Sequence, residues 1–234
     1  ISAWHDVVER VKNPTREIKI GMVGKYVSHQ DAYKSVYEAI NHGAIANQAK
    51  VEVERVDTEV IEKDGPAGML EGLSGIIVPG GFGYRGVEGK IEAIRHARET
   101  GLPFFGLCLG MQCAAVEFAR NVCGMEKANS TEIDESTPYP VISIMADQLA
   151  LRNKGGTMRL GSYPCKLSEG SLARKCYGED LIHERHRHRY EFNNDYRETF
   201  NRHRMILSGL SPDGKLVEII ELKDHPWFIG CQFH

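Results

Sequence analysis

Cys108 sits in Gly106-Leu107-Cys108-Leu109-Gly110, a G-x-C-x-G pattern that follows the apolar run Pro103-Phe104-Phe105 and leads into Met111-Gln112-Cys113. This is the thiol counterpart of the G-x-S-x-G nucleophile elbow, in which a strand turns sharply into a helix and presents its central residue above the sheet edge. Glycines two residues before and after the cysteine suit a turn too tight for larger side chains. The helix that follows would aim its first N–H groups at the sulfur, an arrangement expected to favour thiolate over thiol. The same pattern also suits a core cysteine in an ordinary β-turn-α unit, so the rest of the chain must decide.

A cysteine nucleophile needs a base to take its proton and an acid to protonate the leaving amine, and an imidazole can do both near neutral pH. His234 closes Phe228-Ile229-Gly230-Cys231-Gln232-Phe233-His234, an apolar strand pattern whose end would reach the same sheet edge as the elbow, although nine other histidines compete for the role. Pro79-Gly80-Gly81-Phe82-Gly83 ends another strand. There the N–H of Gly81, with that of Leu109, could form an oxyanion hole. A plain Gly-rich turn fits equally, whereas a phosphate loop is disfavoured because neither G-x-x-x-x-G-K-[ST] nor G-x-G-x-x-G occurs here.

A third block is His183-Glu184-Arg185-His186-Arg187-His188-Arg189-Tyr190-Glu191. At strand period its three arginines share one face, and His186, His188 and Tyr190 share the other. The arginine face could bind a carboxylate or form structural ion pairs with Glu184 and Glu191. A nucleic-acid stripe is a poor fit without interleaved aromatics. No carboxylate or third ligand stands at a spacing that would make the His-x-His pairs a metal site.

Strands alternating with helices must position these residues. Strand patterns cover 18–24, 51–56, 76–78 and 104–107, with helical stripes through Tyr33, Val36, Tyr37 and Ile40, over 89–99 and over 111–120. That alternation predicts an α/β fold with a mostly parallel central sheet flanked by helices, whose ligands sit at the carboxyl ends of the strands. Shorter strands at 141–145, 163–167, 185–192, 205–207, 217–222 and 228–233 predict added antiparallel strands in the second half. Trp4, Val7, Val8 and Val11 form an amphipathic stripe with Ser2 as its N-cap, ended by Asn13-Pro14-Thr15. Residues 1–16 thus read as a leading helix and linker, and 17–234 as one domain.

With 29 Lys and Arg against 32 Asp and Glu, the net charge of −3 suggests neither a nucleic-acid nor a membrane partner. No run approaches the roughly 18 apolar residues of a membrane helix, and residues 1–6 carry no basic leader pattern. Six cysteines without a C-x-x-C pair argue against a zinc site or disulfide framework, and a reducing cytoplasm is the simplest setting. The first residue, Ile1, suggests a piece of a longer polypeptide.

Several blocks together resemble the class I (triad) glutamine amidotransferase family, and within it the glutaminase domains of CTP synthases. They are Gly21-Met22-Val23-Gly24-Lys25-Tyr26, Asp31-Ala32-Tyr33-Lys34-Ser35, Val78 to Gly86, Gly106 to Gln112 and Ala128-Asn129-Ser130-Thr131-Glu132. Gly155-Gly156-Thr157-Met158-Arg159-Leu160-Gly161, Glu184 to Glu191 and Gly230-Cys231-Gln232-Phe233-His234 complete the set. The resemblance implies that Cys108 attacks the side-chain amide of L-glutamine while Gly81 and Leu109 hold the oxyanion. His234 would move the proton, and a glutamyl thioester would be cleaved by water to glutamate. Gln112 and Glu132 would hold the amide and α-amino ends of glutamine, and Arg189 its α-carboxylate.

The family's ammonia aminates ATP-activated UTP to CTP in a synthetase domain, a step of pyrimidine biosynthesis. The resemblance therefore implies no cofactor in this domain, with ATP, UTP and Mg²⁺ confined to an N-terminal synthetase domain of the same polypeptide, in a homo-tetrameric full-length protein. Tyr84 and Arg85 resemble the family's lid, which responds to GTP as an allosteric activator. In the family, a Pro-Glu pair follows the histidine that His234 matches, and that glutamate orients the imidazole. The stretches at 62–65 and 146–154 read as shorter than the family's loops. Two alternatives are the glutaminase domain of another triad amidotransferase, which the RHRHRYE block disfavours, and a non-catalytic module binding glutamine or a nucleotide.

Overall fold

The computed structural model describes residues 2–25, 33–81, 83–144 and 158–234. Tyr26, Asp31, Ala32, Phe82, Met145, the 146–154 stretch, Gly155, Gly156 and Thr157, all singled out in the sequence, lie outside the described residues.

The strands of the first half are β1 (Arg16–Gly24), β2 (Ala49–Asp57), β3 (Gly75–Val78), β4 (Phe104–Leu107), β5 (Ala128–Ser130) and β6 (Tyr139–Ser143). The second half adds β7 (Arg159–Leu167), β8 (Leu181–His188), β9 (Glu191–Phe192), β10 (Met205–Leu210), β11 (Val217–Leu222) and β12 (Phe228–Cys231). Nine of them form one sheet in the order β2-β1-β3-β4-β12-β11-β10-β7-β8. The first five in that order run parallel, and each junction from β12 onward is antiparallel. This is the α/β architecture expected, with the antiparallel strands joined to one edge of the parallel set. A smaller sheet, β5-β6-β9, stands beside it.

Six helices lead the chain through its first half: α1 (Ser2–Lys12), α2 (Lys34–Ala46), α3 (Thr58–Asp64), α4 (Ala67–Leu70), α5 (Val87–Thr100) and α6 (Leu109–Asn121). The larger apolar core unites Ile91 and Ile94 of α5, Met111 and Phe118 of α6, and Val78, Phe104 and Phe228 of the sheet. A second cluster gathers Cys165, Ile182, Ile219, Ile229, Cys231 and Phe233. Almost every side chain of α6 is buried, which fastens the helix after Cys108 to the sheet.

Three local expectations need correction. Ser2 is the first residue of α1, not its cap, and the apolar stripe of that helix faces outward, with Trp4 73% exposed. The Arg10 guanidinium still ties α1 to the last turn of α2 through the Ala46 carbonyl (2.9 Å). The single strand read over 185–192 is two, because β8 pairs with β7 in the large sheet while β9 pairs with β6 in the small one. Arg189 and Tyr190 make the crossing. The short helices Thr58–Asp64, Leu172–Tyr177 and Arg197–Arg202 went unread, although Asp57 and Ser171 cap the first two with side-chain oxygens that accept from Glu59 and Arg174 N–H groups.

Candidate active site

Parallel pairing puts three loops at one level. Val78 stands opposite Gly106 and Cys231 opposite Leu107, so Gly80-Gly81, Cys108 and His234 all emerge from the same edge. Cys108 has φ +51° and ψ −103°, in the strained positive-φ region typical of an elbow. The flanking glycines answer to close backbone approach: a Cβ on Gly110 would lie 2.0 Å from the Val78 carbonyl oxygen, and one on Gly106 2.8 Å from the Gly110 carbonyl carbon. The Cys108 N–H donates to the Cys231 carbonyl (2.7 Å), fixing the elbow to the strand that leads to His234.

Cys108 and His234 converge across Gly80. A Cβ on Gly80 would lie 2.8 Å from His234 Cε1 and 3.4 Å from Cys108 Cβ. The His234 N–H donates to the Arg185 carbonyl (2.8 Å), which holds the last residue against β8. His234 thus brings its ring to the elbow across that glycine.

Cys108 is only 4% exposed, and burial pushes its thiol up to about 12. The Leu109 N–H donated to it, and more weakly the buried Lys90 ammonium, pull the other way, while Glu132 and Glu191 add to the rise. The expected preference for thiolate is therefore not met in the resting site: desolvation outweighs the helix terminus. His234 is held below its ordinary value, chiefly by burial and then by the Arg185 charge, against an opposing hydrogen bond to the Arg187 carbonyl. A neutral imidazole thus stands beside a protonated thiol.

A cavity of about 160 Å³ opens beside the sulfur, and Gly81, Cys108, Leu109, Gln112, Glu132 and Arg189 all line it. Six of the nine residues singled out in the sequence meet there, with a carboxylate and a guanidinium among them. His234 instead lines a larger, mostly apolar cavity of about 460 Å³ with Phe105, Leu107 and Phe233. Tyr84 and Arg85 line neither, since Tyr84 is 80% exposed and Arg85 pairs with Glu59 at 3.1 Å. Glu132 accepts a long hydrogen bond (3.4 Å) from the Gly83 N–H, which links the glycine loop to the cavity.

Four groups around the site had been given no role by the sequence. Gln232, fully buried, donates from Nε2 to Cys108 Sγ at 3.6 Å. Arg159 is buried between Glu191 (3.1 Å) and Glu218 (2.8 Å), so the ion pairs expected of the arginine block centre on a different arginine. His188, which lines the cavity, shares a 2.8 Å hydrogen bond with Glu191. His186 lies behind it with neither ring nitrogen hydrogen-bonded among the described residues, its Nδ1 3.7 Å from Glu218 Oε2, and burial, then Arg159, drives it down to about 3. Gln232 and Arg159 stand inside motifs already noted, but nothing there marked them as buried.

All six cysteines are free, and among the described residues no helix is long and apolar enough to cross a membrane.

The family model for class-I glutamine amidotransferases matches residues 28–234. A CTP synthase of Syntrophus aciditrophicus is 58% identical over 234 residues, covering 100% of this chain and 44% of its own length. One from Ruminiclostridium cellulolyticum is 57% identical with the same coverage. The solved glutaminase domain of Trypanosoma brucei CTPS, with bound acivicin, superposes with a TM-score of 0.87 at 36% identity, covering 93% of this chain and 85% of that one. The chain therefore belongs to the class-I glutamine amidotransferase family, in the branch formed by the glutaminase domains of CTP synthases. It spans less than half the length of the curated relatives it matches.

Proposed function

We propose that this domain hydrolyses L-glutamine to glutamate and ammonia through a thioester on Cys108. The observation that carries the reading is the meeting of Cys108 and His234 across Gly80, beside a cavity sized for one small zwitterion. Arg189 would pair with the α-carboxylate, Glu132 with the α-ammonium, and Gln112 with the side-chain amide. Because burial keeps the thiol protonated, the neutral His234 imidazole must take its proton as sulfur attacks the amide carbon. The N–H groups of Gly81 and Leu109 would hold the oxygen that becomes negative.

Collapse of that intermediate breaks the C–N bond, and the imidazolium returns its proton to the departing nitrogen as ammonia. Water then attacks the thioester with His234 again as base, releasing glutamate and restoring the thiol. Within a longer polypeptide, we read residues 1–16 as a leading helix and linker and 17–234 as the amidotransferase unit. Its ammonia would serve a synthetase domain that aminates ATP-activated UTP with Mg²⁺, in a homo-tetramer in the cytoplasm. The outward Trp4, Val8 and Val11 of α1 agree with a helix that meets further protein. Tyr84 and Arg85 would act as a lid responsive to GTP.

The test is simultaneous measurement of glutamate and ammonia. The parent should release them one to one, and Cys108→Ala should fall to background with an unchanged circular dichroism spectrum. Equal rates for the two proteins would reject the thioester route.

A further inference from the structure

The Tyr190 carbonyl is an acceptor that cannot be turned round, and it begins a short chain of carboxamides ending at the nucleophile. Gln112 Nε2 donates to that carbonyl at 3.0 Å, which fixes which end of the Gln112 amide is nitrogen. The second proton of the same nitrogen is donated to Gln232 Oε1 at 3.1 Å. Gln232 must therefore present its oxygen to Gln112, and its nitrogen to the other side. On that side lies Cys108 Sγ, 3.6 Å from Gln232 Nε2. Both glutamines are buried, Gln232 completely.

We propose that Gln232 is a positioning residue for the nucleophile, its side-chain N–H aimed at Cys108 Sγ by an amide relay that starts at the Tyr190 carbonyl. The proposal deepens the glutaminase reading and rests on it for its catalytic meaning, though the relay itself is a property of the unliganded protein. A donor aimed at sulfur stabilises the thiolate more than the thiol, because hydrogen bonds to a charged acceptor are the stronger. The Leu109 N–H supplies a second such donor.

The relay also settles how Gln112 meets a ligand. With both of its Nε2 protons engaged, Oε1 is the atom it can offer the cavity.

Other charges bear on the same sulfur. Lys90 of α5 favours the thiolate, and Glu132 after β5 and Glu191 of β9 oppose it. His188 of β8 lines the same cavity, and His234 after β12 converges on Cys108 across Gly80. None of these is altered by replacing Gln232 with an isosteric side chain that cannot donate.

The experiment is the pH dependence of Cys108 alkylation by iodoacetamide in the full chain, read by peptide mass without glutamine present. Gln232→Met should raise the midpoint by about one pH unit and slow alkylation at pH 8 about tenfold. In steady-state assays it should lower kcat while leaving KM for glutamine within about threefold. A folded Q232M protein with the parental midpoint would overturn the proposal. Should Q232M fail to fold, Gln112→Met frees Gln232 Oε1 and should move the midpoint in the same direction, and an unmoved midpoint there would be equally fatal. The two readings fail separately: a parent that hydrolyses no glutamine, but whose midpoint still shifts in Q232M, would defeat the glutaminase reading and uphold the relay.

Discussion

The parallel and antiparallel halves of the large sheet solve opposite problems. Around β3, β4 and β12 the backbone itself is the device: glycines let strand ends and the elbow approach to contact distance, and Cys108 follows directly on β4 and His234 closely on β12. Around β7, β8 and β11 the device is charge. Arg159 bridges Glu191 and Glu218 in the interior, stacks over Tyr163 at 4.6 Å, and backs His186 and His188. Five buried polar atoms of that cluster, on His186, His188, Glu191 and Glu218, accept or donate no hydrogen bond among the described residues. Close packing thus fixes Cys108 at its turn, and a buried ion network supports the end of β8, from which Arg189 continues to the cavity.

That contrast can be broken from either side. Arg159→Met should cost most, about 3–5 kcal/mol of unfolding free energy, because it leaves two buried carboxylates without their cation. Denaturant titration checks it, and a loss below about 1 kcal/mol would mean the network is not a structural keystone. Gly110→Ala should cost about 3 kcal/mol, since its Cβ would meet the Val78 carbonyl oxygen and the elbow must open. Arg189→Gln should spare the fold and raise KM for glutamine ten- to a hundredfold, about the worth of one charge-assisted pair. A KM unchanged in R189Q would move the carboxylate anchor elsewhere.

The smallest effect is a slope. Unfolded histidine takes a proton near pH 6.5, whereas buried His186 resists until about 3. Between those values the unfolded state binds more protons, so stability falls as pH falls through the window and is whole above it. His186→Phe should remove up to about 1.4 kcal/mol per pH unit of that loss. Parallel stability curves for parent and variant from pH 6.5 to 4 would contradict the assignment.

The two halves were also unequally legible in the sequence. The elbow, the glycine loop and the His234 strand each lie within a few consecutive residues, so local pattern carries them, and parallel topology then brings them to one edge. The alternation of arginines and histidines along β8 held as read, with His186 and His188 inward. What could not be read was the split at Arg189-Tyr190, because it depends on which sheet each half joins. The Arg159 network was invisible for a related reason: it is assembled from residues 159, 191 and 218, on strands of both sheets that do not pair with one another. Lys90 looks like any surface lysine of an amphipathic helix, yet it is 1% exposed beneath the glycine loop. The expected thiolate failed because a sequence pattern reports the helix terminus next to Cys108 and not the depth of its burial.

The most direct test of the account is brief exposure of the protein to a glutamine-mimicking electrophile, followed by intact mass and peptide mapping. A single adduct, on Cys108, that excess glutamine prevents is the expected result. No adduct, or one spread over other cysteines and indifferent to glutamine, would contradict it.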